Sequence, residues 1–301
     1  MIEALFVTTA TSEPVENVDA WRHTMGPASH VTFDINSVPN DAAILDAAAA
    51  VKPAVIFYTG ATDGPGLPSD ETLRRLRKIA PSVILQGDFG DPPWWPMMKH
   101  YREAECFDLM VAMDGVKTCP ADLVTLTPFD IDKFPTDPTE RPIRCGFAGN
   151  LQGRPYWREL VKNGQAVDAR SSFIHQFGAH VRVRVRETAG AYADYIAFMR
   201  SCKMILNTSV AGSGTAVHVK GRTLEASFSG AAVIDSTESP LREWFPPEMF
   251  FGYRTSEDVW PILLHATEKE IAGKAAAMSA YAREHYHPAK IYGQIVERLG
   301  L

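Results

Sequence analysis

Apolar runs of strand length recur through the first part of the chain, at residues 5–8, 31–35, 54–58, 83–85, 109–112 and 124–126. Helical segments separate them. Residues 41–51 form an alanine-rich helix with Asn40 or Asp41 as its cap, and Ser69 caps the next. Asp70 and Glu71 in that first turn suit the helix dipole. The pattern resumes with strands at 144–148, 181–185, 203–206 and 231–234. Tyr192, Tyr195 or Ile196, and Met199 mark an amphipathic helix leading into the strand at 203–206. Ser239-Pro240 opens a further helix, and Thr267 with Glu270 makes a capping box for a long helix toward Arg283. Strands alternating with helices predict α/β architecture, with parallel sheets covered on both faces.

Pro128, Pro135, Pro138 and Pro142 break the pattern in an acidic stretch with few apolar residues. The expected organisation is an N-terminal domain over 1–130, a linker over 131–142 and a second domain over 143–285. A C-terminal helix over 286–301 is expected to cross back to the first domain.

The stretch 202–235 reads as strand, glycine loop, short helix and strand. Leu224 and Phe228 share one helical face, and Gly230 stands where a C-terminal cap belongs. Lys220 and Arg222 occupy the helix start, behind a lip formed by Ser213, Gly214 and Thr215. Free backbone N–H groups, a glycine lip and two cations make a site for an anion, most often phosphate. Glu225 lies three residues beyond Arg222 on the same side, where a carboxylate accepts hydrogen bonds from sugar hydroxyls. Two rival readings stand. Arg222 and Glu225 make an ordinary surface pair worth about 0.2–0.5 kcal/mol, or Gly212-x-Gly214 followed by Asp235 marks a dinucleotide fold. Against the latter, Val217 fills the third glycine position, where close helix–sheet packing wants no side chain.

Other candidates lie at strand ends, where parallel sheets bind ligands. Gly149-Asn150-Leu151-Gln152-Gly153-Arg154 leads into a helix at 156–161, a second N-terminus open to phosphate. In the first half, the loop 59–64, Asp88 and Asp114 follow strands. Trp94 and Trp95 follow Asp88, and an acid beside aromatic rings suits a sugar; the competing reading makes the tryptophans core and Asp88 a turn residue. Arg182, Arg184 and Arg186 alternate on the solvated face of a strand. His285-x-His287 lacks a third ligand and Pro288 follows at once, so no metal site is expected.

Composition narrows the partners. The 301 residues are 46% hydrophobic, enough for two compact domains, and a net charge of -6 argues against a nucleic-acid partner. No apolar run is long enough to span a bilayer, and MIEALFVTTA lacks the basic start of a signal peptide. Cys106, Cys119, Cys145 and Cys202 are widely spaced, as expected of reduced core thiols in a cytoplasmic protein.

The runs FAGNLQGRPYWRELV, YIAFMRSCKMILNTS, KGRTLEASFSGAAVI and the distal REWFPPEMFFGYRTSEDVWPILLHATEKEIAGKAAAMSAYAREHY resemble the C-terminal half of GT-B glycosyltransferases of the group 1 type. Within these, the chain is most similar to the spore-maturation (CgeB-like) group. The resemblance covers residues 143–290; the first half is similar only in general pattern. It implies two Rossmann-like domains facing each other across a cleft, and a hexosyltransferase that takes a nucleotide-diphosphate sugar as donor to an unidentified acceptor. It further implies Lys220 and Arg222 on the diphosphate, Glu225 on the ribose or donor sugar, and Asn150 and Arg154 at the opposing phosphate edge. No metal or other cofactor is implied. Cations at a helix start stabilise the leaving diphosphate, and Asp88 is the candidate base of an inverting reaction. An epimerase or hydrolase on the same fold, or a non-catalytic nucleotide-sugar-binding protein, are the alternatives.

Overall fold

The computed structural model describes residues 1–9, 15–59, 64–149, 173–184, 192–210 and 216–301. They divide into two compact units, Met1–Asp130 with His287–Leu301, and Ile131–Tyr286.

The first unit contains β1 (Ala4–Thr9), α1 (Val15–Thr24), β2 (Ala28–Phe33), α2 (Asp41–Val51), β3 (Val55–Thr59), α3 (Asp70–Ile79), β4 (Ser82–Gln86), α4 (Trp95–Glu103), β5 (Leu109–Ala112) and β6 (Leu123–Val124). Its strands run parallel in the order β2-β1-β3-β4-β5-β6. All of β3 and β5 is buried, as continuous apolar runs must be when helices cover both faces. Edge strand β2 is mixed in exposure. Ser69 caps α3 as expected, its Oγ accepting from the Thr72 N–H at 3.2 Å. Asn40 occupies the cap position of α2 without a side-chain bond. Asp41 instead accepts from the Ser69 N–H and Oγ at 3.1 and 2.6 Å, which ties the two helix starts together. Two elements escape the sequence pattern. α1 carries its apolar residues without a clean stripe, and α4 opens on Trp95-Pro96, which reads as loop but suits a helix start.

The second unit contains β7 (Ile143–Ala148), β8 (Arg182–Arg184), α5 (Tyr192–Ser201), β9 (Cys202–Leu206), α6 (Gly221–Phe228), β10 (Ala232–Ser236), β11 (Phe251–Tyr253), α7 (Ser256–His265) and α8 (Glu268–His285). The strands are again parallel, in the order β11-β10-β9-β7-β8. From β7 the chain steps outward to β8, then crosses to β9 and continues through β10 to β11. Strand order therefore reverses between β7 and β9, and ligands bind at the carboxyl ends beside such a reversal. In the first unit the reversal lies between β1 and β3; the residues that follow those strands, 10–14 and 60–63, lie outside the described residues.

Thr267 Oγ1 accepts from the Glu270 N–H at 3.2 Å, as its spacing predicts, and α8 runs on to His285. Ser239-Pro240 opens a helix as expected, a single 3-10 turn over Pro240–Glu243. The segment 156–161 lies outside the described residues.

The last helix, α9 (Pro288–Leu299), belongs to the first unit. Tyr292 is fully buried there, with its ring centroid 5.0 Å from Trp21 and 5.8 Å from Phe57, and its hydroxyl donates to the Asn17 carbonyl at 2.8 Å. Truncating a buried aromatic ring costs about 3–5 kcal/mol. Tyr292→Ala should therefore strip hydrogen-exchange protection from β1 and β3 while β9 and β10 keep theirs. Equal loss in both sheets would contradict this assignment of α9.

Candidate functional site

The reversal between β7 and β9 brings together residues that are far apart in sequence. Gly149 follows β7 with φ +142°, a conformation that side chains rarely adopt, and its N–H donates to the Arg184 carbonyl at 3.0 Å. Asn207 follows β9 and is completely buried. Between them lies the guanidinium of Arg222, in the first turn of α6. Its Cζ stands 4.6 Å from the Phe147 ring centroid, and Nη1 donates to Asn207 Oδ1 at 3.2 Å. A Cβ on Gly149 would fall 2.9 Å from that Cζ. Glycine is thus required twice over, by backbone conformation and by the approach of the arginine. Arg222 Nε is buried without a partner among the described residues. Guanidinium carries only donors, so this one is poised for acceptors from outside.

Lys220 is the N-cap residue of α6, with extended backbone and no side-chain cap bond. Its Nζ is hydrogen-bonded to Nε2 of the buried His218. Glu225 faces inward, 7% exposed, and accepts from the hydroxyls of Tyr192 at 2.7 Å and Tyr195 at 3.1 Å. A solvated surface pair of Arg222 and Glu225 is therefore ruled out by the burial of Glu225. Leu224 and Phe228 are buried, and Gly230 takes φ +69° just past the helix end.

Behind Arg222 lies a polar network. Asn207 Nδ2 donates to Thr223 Oγ1 at 2.9 Å and to Ser209 Oγ at 3.3 Å, and Ser209 Oγ donates to Asp235 Oδ1 at 2.5 Å. Burial pushes the Asp235 carboxyl up to about 6, against the opposing pull of Ser209, the Ser236 N–H, Ser239 and Asn207. Asp235 is completely buried, with Oδ1 bonded to Ser209 and the Ser236 N–H and Oδ2 without a partner among the described residues, so it does not present the open carboxylate that a dinucleotide ribose requires.

Asn150, Arg154, Ser213, Gly214 and Thr215 lie outside the described residues. Val210 and Val217 form an antiparallel bridge at the base of the segment that holds the last three. Asp88 belongs to the first unit, exposed in the turn after β4, one strand beyond the β1/β3 reversal. Asp114, also at a strand end, is buried and braces that turn, accepting from the N–H of Gly90 at 2.5 Å and of Val116 at 3.2 Å. Trp94 and Trp95 pack against the core, and the Trp95 indole donates to the Phe89 carbonyl at 3.0 Å. The four cysteines are free and buried; burial raises Cys106 to about 12, Cys119 to about 11 and Cys202 to about 12, so none supplies a thiolate.

Asn207 and Phe147 were not legible as site residues in the sequence. Asn207 directly follows a buried strand, which is the one signal that points to it.

Residues 143–297, just over half of the chain, match the family described as glycosyl transferase-like. No curated protein matches the sequence. Similar solved structures include Anabaena HepE in complex with UDP and glucose, at 13% identity over 100% of both chains with a TM-score of 0.63. Sucrose-phosphate synthase from Thermosynechococcus elongatus aligns over 99% of both chains at 10% identity, TM-score 0.65. A putative UDP-N-acetylglucosamine 2-epimerase from Listeria monocytogenes aligns over 98% of this chain and 95% of its own at 13% identity, TM-score 0.56. These likenesses establish the GT-B fold, two parallel-sheet α/β domains. No helix among the described residues is long and apolar enough to cross a membrane.

Gly149→Ala sets a side chain at positive φ against the Arg222 guanidinium, a strain worth about 1–3 kcal/mol. Thermal unfolding of the second unit should shift down accordingly. An unchanged midpoint would contradict the geometry at β7.

Proposed function

The chain belongs to the glycosyl transferase-like family, and from that premise we propose that it transfers a sugar from a nucleotide-diphosphate donor to an acceptor. The observation that carries this reading is the start of α6. Lys220 and Arg222 stand at a helix N-terminus beside the β7/β9 reversal, and Arg222 keeps a buried donor without a protein partner among the described residues. Helix dipole and cations together favour a diphosphate at that point.

As the glycosidic bond to the donor phosphate breaks, negative charge grows on the leaving diphosphate and the sugar becomes oxocarbenium-like. Lys220 and Arg222 stabilise that charge from fixed positions, as preorganised donors do. Glu225, which accepts from two tyrosine hydroxyls, is assigned to a ribose or donor-sugar hydroxyl. We assign Asn150 and Arg154 to the opposing phosphate edge and Ser213, Gly214 and Thr215 to the nucleotide lip. Asp88, exposed after β4, is assigned as base if the reaction inverts. Within the family we place the chain in the spore-maturation (CgeB-like) group, as a cytoplasmic hexosyltransferase that needs neither metal nor nucleic acid.

Four outcomes test this. Arg222→Ala removes a charge-assisted contact worth about 1.5–3 kcal/mol, so affinity for UDP or GDP should fall by roughly ten- to a hundredfold in calorimetry. Glu225→Gln should weaken a nucleoside diphosphate more than inorganic pyrophosphate. Transfer should survive EDTA; complete loss with EDTA, restored by manganese, would overturn metal independence. Release of free sugar and UDP at full rate without acceptor would instead mark a hydrolase.

A further inference from the structure

We infer that Asp235, Ser209 and Asn207 form a directional hydrogen-bond relay that positions the Arg222 guanidinium for the donor diphosphate, with Asp235 as its buried anionic end. The inference rests on the donor-site reading above and adds to it residues that touch no substrate.

The direction of each bond follows from chemistry. Arg222 only donates, so the Asn207 amide must turn Oδ1 toward it. The Nδ2 group is then aimed the other way, where Thr223 Oγ1 and Ser209 Oγ accept it. Ser209 Oγ accepts that bond and donates its own to Asp235 Oδ1, at 2.5 Å. That last step is strongest when Asp235 is ionised. Asn207, Ser209 and Asp235 are completely buried, so water does not compete for these bonds. The Tyr253 hydroxyl fixes the starting point by donating to the Asn207 carbonyl at 2.8 Å.

An ionised Asp235 is costly to the fold. Burial raises its carboxyl to about 6, above the unfolded value near 3.9. Because the folded state holds the proton more tightly, the stability it contributes is full below about pH 4 and is lost as pH rises through about 6. At neutral pH the carboxylate therefore burdens the fold, and such a burden is retained where function needs it. Among the described residues, the groups facing it are Ser209 and Asn207 from the β9 end, the Ser236 N–H and Ser239 from its own strand end, and Tyr253 from β11. Burial raises the Tyr253 phenol as well and keeps it neutral, so Asp235 is the titrating member.

The test uses the full chain and titrates UDP-glucose, ADP-glucose and GDP-mannose between pH 5 and 7.5. These diphosphates are diesters with no proton to gain in that range. For the sugar nucleotide that binds, affinity should be about tenfold weaker at pH 5 than at pH 7.5, the linkage expected of one carboxyl near 6. Asp235→Asn should bind weakly and without that pH dependence, while its unfolding midpoint at pH 7.5 holds or rises. Ser209→Ala breaks the middle of the relay, leaves the carboxylate in place, and should flatten the profile in the same way. Arg222→Ala separates the two ideas. If it binds as the parent does, the donor-site reading fails and the relay with it. If Arg222→Ala loses binding but Asp235→Asn and Ser209→Ala match the parent at every pH, the donor site stands and the relay is overturned. A pH dependence that persists in both relay variants overturns it too.

Discussion

A guanidinium can stack and donate, but it cannot accept, and Arg222 is held where those limits shape everything around it. Phe147 gives it an aromatic face at 4.6 Å, and Asn207 gives it an acceptor at 3.2 Å. Gly149 lacks a side chain because that space belongs to the arginine, and its φ of +142° carries the chain away from β7 without obstructing it. The amide of Asn207 has one permitted orientation, which in turn fixes the roles of Thr223 and Ser209. Charge is thereby delivered to the carboxyl ends of β7 and β9, where strand order reverses.

Two other arginines of the second unit show what a structural guanidinium looks like. Arg141 donates to the carbonyls of Cys202 and Ser229 at 2.8 and 2.6 Å, and Arg283 to those of Phe134 and Phe228, both at 2.9 Å. Each satisfies carbonyls at the ends of strands, helices or turns. Arg222 is bonded to one side-chain oxygen and retains a buried N–H without a partner among the described residues. Partial satisfaction of a buried donor is costly in a structural role and expected of a binding one.

The strands were legible because parallel sheets bury both faces, so β3, β4 and β5 stand out as unbroken apolar runs. Lys220, Arg222 and Glu225 were legible as a group because one helical turn brings them together. What could not be read were relations across the fold. Nothing local marks Phe147 as the surface under Arg222, or Tyr192 and Tyr195 as donors to Glu225 rather than members of an apolar face. Asp88 and Asp114 are both acids after a strand, and packing leaves the first exposed while the second braces a turn. Trp95 reads as core or as platform, and it lies half-buried against the core with its indole donating to the Phe89 carbonyl.

The most direct measurement is a crystal structure of the protein with a nucleoside diphosphate bound, UDP first and GDP second. Phosphate oxygens should lie within hydrogen-bond distance of the Arg222 guanidinium and of the backbone N–H groups that open α6, with the ribose beside Glu225. Phosphates seated elsewhere, away from Arg222 and the start of α6, would contradict this placement.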